Sequence, residues 1–262
     1  MKLEKEEIAI LVKATPEKGR VGEEEHTVGV IGVNKNKEIL RLYPLGFRYG
    51  VGSGNFRKND LLEVAISKPE YDLRWESRKV LSYTNLEKSL KEREVKERIL
   101  PLSTSIERLN KEGSSLGIIK PEILNLEVKV NNIELYERQQ YFNLIGDFLE
   151  KGERSRMPVE VRYIFKCKGE KACRGHKIIL LDWEFNEGIR RIIRENKELV
   201  TLEKEIPEYA FSIMKEKEVY FVMGTHFIFG TWMIIGLYFP ERGSKNQSKL
   251  SGFITCENQN TS

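Results

Sequence analysis

Short apolar runs broken by Gly, Asn, Lys and Pro dominate the first 130 residues. Ile8–Val12, His26–Val33, Glu38–Tyr43 and Leu61–Ser67 are rich in β-branched side chains, the composition of strands on a half-buried sheet. Val33-Asn-Lys-Asn-Lys-Glu38 predicts a hairpin turn, because Asn tolerates left-handed backbone. Tyr49-Gly-Val-Gly-Ser-Gly-Asn55 predicts a mobile loop, and it lacks the Lys-Ser/Thr ending of a phosphate-binding loop. A β-barrel-like or strongly curved sheet closes such a set of strands. Asn85 is placed to cap a helix to about Ile99, a solvated one with a thin apolar stripe and Glu87/Lys91, Lys88/Glu92 and Glu94/Arg98 pairs. A shorter helix follows over Ser105–Lys111, stopped by Gly113, and Leu116–Lys120 and Leu124–Val130 read as strands flanking Pro121.

The pattern then alternates between periods. Tyr141, Leu144, Ile145, Phe148 and Leu149 share one face of a helix over residues 133–150. Val161, Tyr163 and Phe165 alternate with Arg162, Ile164 and Lys166, as a half-buried strand requires. Lys177–Leu181 predicts a buried strand, followed by a helix to about Asn196 and another over Pro207–Lys215. Glu218–Met223 and Thr231–Phe239 predict a closing pair of strands. Beyond Glu241 a Ser/Asn/Gln-rich tail carries an unpaired Cys256. The reading is an α+β protein: a β-barrel-like domain over 1–130 with surface helices at about 85–112, a smaller mixed α/β domain over 131–240, and a disordered tail over 241–262.

Charged residues make up 32% of the 262, above the roughly 25% of ordinary globular chains, and the Lys/Glu bias is that of proteins from hot habitats. A net charge of +4 permits a polyanionic partner without demanding one. The longest apolar run, Phe227–Phe239, is interrupted by Gly230, Thr231 and Gly236 and falls short of the roughly 20 residues that span a bilayer. No secretory leader is visible, so the expectation is a soluble cytoplasmic protein with no membrane association. Three cysteines in a reducing compartment argue for metal binding or spare thiols; in a hyperthermophile a Cys167–Cys173 disulfide becomes a live exception.

Candidate chemistry concentrates after Phe165. Cys167-x5-Cys173-x2-His176 supplies thiolates and an imidazole, the donors Zn²⁺ prefers, and Gly169 and Gly175 let a short loop fold around an ion. A closed site needs a fourth ligand, for which His226, Asp182, Glu184 or water are candidates. The alternative is two buried thiols beside a hydrogen-bonded histidine. Asp182 and Glu184 leave the same face of an extended segment, roughly 6–7 Å apart, and could hold Mg²⁺ or Mn²⁺. Equally, Asp182 is a good helix N-cap with Glu184 in the first turn. Arg190, Arg191, Arg194 and Lys197 form a basic ridge, or a self-neutralised one through Glu187 and Glu195. Upstream, Arg41, Tyr43, Phe47, Arg48, Arg57, Arg74 and Trp75 interleave cations with rings, a mixture suited to stacked bases and phosphates or to a barrel filling with bridging arginines.

Several blocks resemble a family of prokaryotic proteins with no established activity: Arg41-Leu-Tyr-Pro44 with Phe47-Arg48, Asp72-Leu-Arg-Trp-Glu-Ser77, Ser105-Ile-Glu-Arg-Leu109, Ser115-Leu-Gly-Ile-Ile-Lys-Pro121, Arg162–Cys167, Cys173-Arg-Gly-His176, Asp182-Trp-Glu184 and the closing strands. The resemblance spans about residues 25–240 and implies no catalytic residues. The family's usual company, mobile elements and defence islands, implies a nucleic-acid role. The leading expectation is a DNA- or RNA-binding protein using Arg41, Tyr43, Phe47, Arg48, Arg57, Arg74, Trp75, Arg190 and Arg194, with Cys167, Cys173 and His176 as a structural Zn²⁺ clasp. One alternative is a nuclease holding Mg²⁺ or Mn²⁺ on Asp182 and Glu184 with His176 as ligand or base; another is a partner-binding protein without nucleic acid.

Overall fold

A computed structural model describes residues 4–14, 17–18, 26–47, 56–130, 159–195, 199–216 and 218–239. The expected loop over 49–55, the helix over 133–150, the tail from 241, Arg48 and Lys197 lie outside them, as does the side chain of Phe47. No helix among the described residues is long and apolar enough to cross a membrane.

The chain is α+β and strand-rich. The amino-terminal sheet contains β1 (Glu4–Lys13), β2 (Glu17–Lys18), β3 (His26–Asn34), β4 (Ile39–Phe47), β5 (Asp60–Ser67) and β6 (Ser77–Ser89). β1 pairs with both β3 and β5, and β4 and β6 form the one parallel pair of this sheet among the described residues. In β1, Ile8 and Ile10 join Val30, Leu42, Leu62 and Val64 in one core, whereas Ala9, Leu11 and Val12 join Leu116, Ile118, Tyr220 and Val222 in a second. A strand covered on both faces reads as an unbroken apolar run, which is why Ile8–Val12 shows no alternation.

Helix α1 (Glu92–Ile99) starts later than the Asn85 cap predicts. Residues up to Ser89 stay in β6 because their backbone is taken by β5, with Leu62 opposite Asn85 and Asp60 opposite Ser89. Nor is α1 a solvated surface helix: Val95 and Ile99 are fully buried. After a 3₁₀ turn (Leu100–Leu102) come β7 (Ser103–Thr104), α2 (Ile106–Glu112), β8 (Leu116–Ile119) and β9 (Pro121–Val130). β8 and β9, placed by sequence in the first part, pair with later strands. β8 lies between β7 and β12 (Tyr220–Thr225), which pairs with β13 (Trp232–Tyr238); β9 pairs with β10 (Val159–Cys167), which pairs with β11 (His176–Ile179).

Helix α3 (Trp183–Glu195) follows β11, and α4 (Leu199–Glu216) carries Pro207 inside it rather than at its start. Proline favours the first helical turn, but Leu202, Ile206 and Ala210 recur every four residues and are fully buried, so their common face keeps the turn before Pro207 helical.

Candidate metal centre and the polar seam

Ser105 caps α2, its hydroxyl accepting from the Arg108 N–H at 3.2 Å, and this cap places Glu107 in the first turn, where the helix dipole favours a carboxylate. The same hydroxyl meets Glu170 Oε2 at 3.1 Å, tying α2 to the loop between β10 and β11. Cys167 ends β10 and His176 opens β11 opposite Phe165. Between them the chain reverses through Gly169 at φ 84° and Gly175 at φ 105°, backbone that side-chain-bearing residues rarely adopt. The loop is stitched by the Glu170 N–H to Cys167 O at 3.1 Å and the Cys173 N–H to Glu170 O at 3.3 Å.

This folding brings Glu107, Cys167, Cys173 and His176 together, their donor atoms all within 4.8 Å of one another, and the four could hold a metal ion. His176 Nε2 lies 3.2 Å from Cys173 Sγ and 3.1 Å from Glu107 Oε1. The Cys167 N–H donates to Cys173 Sγ at 3.2 Å. Burial pushes the Cys167 thiol up to about 12, the Ile106 amide opposing it and the neighbouring Cys173 and Glu107 charges adding to it. Burial also works to raise the Glu107 carboxyl, but its own backbone amide, Cys173 and His176 outweigh that and hold it low. A cation at the centre would stabilise both thiolates.

The fourth member of the group is therefore Glu107, not His226, Asp182 or Glu184. His226 Nδ1 instead accepts the Ile228 and Phe229 amides at 3.1 and 3.3 Å. The sequence hid Glu107 because it lies on a helix far upstream, and one acidic residue in a first helical turn looks like any other.

Asp182 is a buried cap. Its Oδ1 accepts the Phe185 N–H at 2.8 Å, and its Oδ2 accepts the Leu237 N–H at 2.7 Å. Asp182 and Glu184 do converge, but on Lys58, whose Nζ lies 3.3 Å from Asp182 Oδ2 and 3.0 Å from Glu184 Oε2. Burial alone would lower the Lys58 ammonium; the two carboxylates outweigh it and hold it above its ordinary value. His176, grouped with them in the nuclease alternative, belongs to the metal-competent cluster instead.

Lys58 belongs to a wider seam between the amino-terminal sheet and the rest. Glu76, almost fully buried, accepts the Ser115 and Leu116 amides at 2.6 and 3.1 Å and the Ser115 hydroxyl at 2.9 Å. Arg41 donates to Ser77 Oγ at 2.9 Å and Ser115 O at 3.2 Å; burial and neighbouring Arg74 push it down to about 10. Arg74 Nε holds Asp72 Oδ1 at 2.7 Å, while Nη1 donates to Thr225 O at 2.7 Å. Both guanidinium groups are thus engaged within the fold. Arg190, expected on the basic ridge, is buried with its guanidinium 4.8 Å from the Trp183 ring centre and a short contact to Glu187. Arg194 and Arg57 are exposed, as are Tyr43 and Trp75.

Among the blocks that carry the sequence resemblance, those around Arg41, Asp72–Ser77, Ser115 and Asp182–Glu184 fall on this seam, and those holding Glu107, Cys167 and Cys173–His176 on the metal-competent group. No curated protein matches the chain. Residues 4–101 match a family described as Domain of unknown function (DUF8758), which ends within the turn Leu100–Leu102. The remainder, 102–256, carries the larger match, covering more than half of the 262 residues, and the chain belongs to the family described as Domain of unknown function (DUF8757).

Proposed function

We propose that the chain binds nucleic acid through its amino-terminal sheet, and that Glu107, Cys167, Cys173 and His176 carry a structural zinc ion. The observation that supports the first part most is the exposure of three large rings: Tyr71 at 75%, Trp75 at 57% and Tyr43 at 46%. Exposed Tyr and Trp rings offer flat faces on which bases can stack with little regard to sequence.

Strand connectivity favours the same reading. Pairings run β1–β3–β4–β6–β5 and back to β1, a three-strand meander, a crossover and a hairpin. We read this ring as a small Greek-key barrel of the OB kind, whose second and third strands and fourth-to-fifth loop face oligonucleotides. Tyr43 lies on the third ring strand, and Tyr71 and Trp75 lie in the loop joining the fourth and fifth. Arg57 and Lys79 are exposed, and Arg78 reaches back to the Trp75 carbonyl at 2.6 Å.

For the metal, zinc suits two thiolates, an imidazole and a carboxylate. A tetrahedral ion with ligand bonds of about 2.0–2.3 Å needs donor atoms roughly 3.3–3.8 Å apart, and the group needs only small shifts to reach that. A site with four protein ligands is closed, so its role is to fix α2 against β10 and β11.

Anisotropy of labelled DNA and RNA oligonucleotides tests the binding. Affinity is expected to fall steeply between 50 and 200 mM salt, and Trp75→Ala to weaken it. A parent that leaves every oligonucleotide unbound would leave a partner-binding protein without nucleic acid. Metal analysis of the purified chain is expected to find one zinc per chain, lost in Cys173→Ser.

A further inference from the structure

We infer that the nucleic acid is an unpaired strand, and that its bases also stack on the Phe227–Phe229 turn of the carboxy-terminal half. The inference rests on the nucleic-acid reading above and extends its site across the seam. The turn joining β12 and β13 carries Phe227, Ile228 and Phe229 at its tip, 51%, 73% and 72% exposed. Tips of this kind are ordinarily polar, built from Gly, Asn, Asp and Ser. Here the polar atoms are turned inward instead. The His226 N–H donates to Thr231 O at 2.8 Å and the Gly230 N–H to His226 O at 3.0 Å, so the three apolar side chains are held outward by an ordered backbone.

Each of the two rings has a partner beneath it. Phe229 stacks on the His226 imidazole, centres 4.8 Å apart and planes 27° apart. Phe227 lies under the Arg74 guanidinium at 5.4 Å. A ring ordered in this way loses little entropy when a base covers its open face. Arg74 also fixes where the turn stands. It lies between Leu73, 88% exposed, and Trp75 on the β5–β6 loop, and it donates to Thr225 O at 2.7 Å, so Arg74 ties the loop to the turn, and we read the two as one platform.

Charge chooses the occupant. Lys68 and Lys79 are exposed on or beside the β5–β6 loop, and exposed Lys111 follows Asn110, whose Oδ1 accepts the Trp232 indole N–H at 2.8 Å. Glu70 and Glu112 are the exposed acids nearby in sequence, and Asp72 is neutralised by Arg74. Flat apolar faces bordered by cations match a strand whose bases are unstacked and whose phosphates follow the rim. In a duplex those base faces are already covered by their neighbours.

The test compares an unpaired oligonucleotide with a duplex of the same sequence, for the parent chain, Phe229→Ser and Trp75→Ala, each checked for an unchanged melting curve. Anisotropy of the labelled strands reports binding in every variant, and quenching of tryptophan emission is a second readout in the parent and Phe229→Ser. The expected result is preference for the unpaired strand and a loss of about 5- to 100-fold in Phe229→Ser. Tight binding that Phe229→Ser leaves intact, or equal affinity for the duplex, overturns the inference while leaving the nucleic-acid reading standing. A parent that binds neither overturns both, and co-sedimentation with anionic lipid vesicles that Phe229→Ser abolishes would assign the platform to a lipid surface.

Discussion

Glu107 converts a loop with three donors into a four-donor group, and its position explains how. The Ser105 cap fixes the first turn of α2, and the Ser105–Glu170 contact brings that turn against the Cys167–His176 loop. The carboxylate then meets His176 Nε2 at 3.1 Å without leaving its own helix. If this carboxylate is a ligand, Glu107→Gln removes a negative donor with almost no change in volume. Competition with a chromophoric chelator should then show metal affinity reduced at least about 10- to 100-fold, the range seen even for groups one step removed from the ion. Parent-like affinity in Glu107→Gln would reduce the site to Cys167, Cys173, His176 and solvent.

At the level of elements, legibility followed the range of the determining contacts. β10 was readable because Val161, Tyr163 and Phe165 face the core while Arg162, Ile164 and Lys166 do not, a pattern complete within one strand. α2 was readable from Ser105 and Gly113, which lie at its ends. The end of β6 was not, since Asn85–Ser89 carries helix-compatible polar residues and becomes strand only by pairing with β5. Lys58 between Asp182 and Glu184 was invisible for the same reason. Glu218 shows how elements distant in sequence are tied: its carboxylate lies 2.6 Å from Lys96 of α1 and 3.0 Å from Lys120, which precedes β9. Hydrogen bonds from Lys96 and Lys120 depress its pKa from 4.5 to about 2. The unfolded carboxyl therefore takes up its proton first as pH falls. Stability from this clamp is present above 4.5, drains as pH drops below it and is gone below about 2. Urea midpoints should accordingly separate parent from Glu218→Gln most at pH 7, with the gap closing toward pH 2. A gap that does not change with pH would mean Glu218 acts by packing rather than charge.

For the whole molecule, the question is whether the parts matched as 4–101 and 102–256 are separable bodies. Three features argue that they are not. β1 contributes Ala9, Leu11 and Val12 to a core shared with Leu116, Ile118, Tyr220 and Val222. Gly236 of β13 passes so near β1 that an added Cβ would meet Val12 Cβ at 2.4 Å. Glu76 and Lys58 from the first part find their partners in the second, so cutting the chain would leave buried charge unpaired. Neither part alone can cover the shared core. Residues 1–101 and 102–262 expressed separately should expose it, bind an apolar dye and aggregate, whereas the intact chain should unfold in one transition seen identically by circular dichroism and fluorescence. Ile118→Ala, at a fully buried position in that core, should lower the single transition by about 2–5 kcal/mol without splitting it. Two resolved transitions, or a soluble and cooperative 102–262 fragment, would show the parts to be independent; the nucleic acid proposed to bridge the β5–β6 loop and the Phe227–Phe229 turn would then have to draw them together.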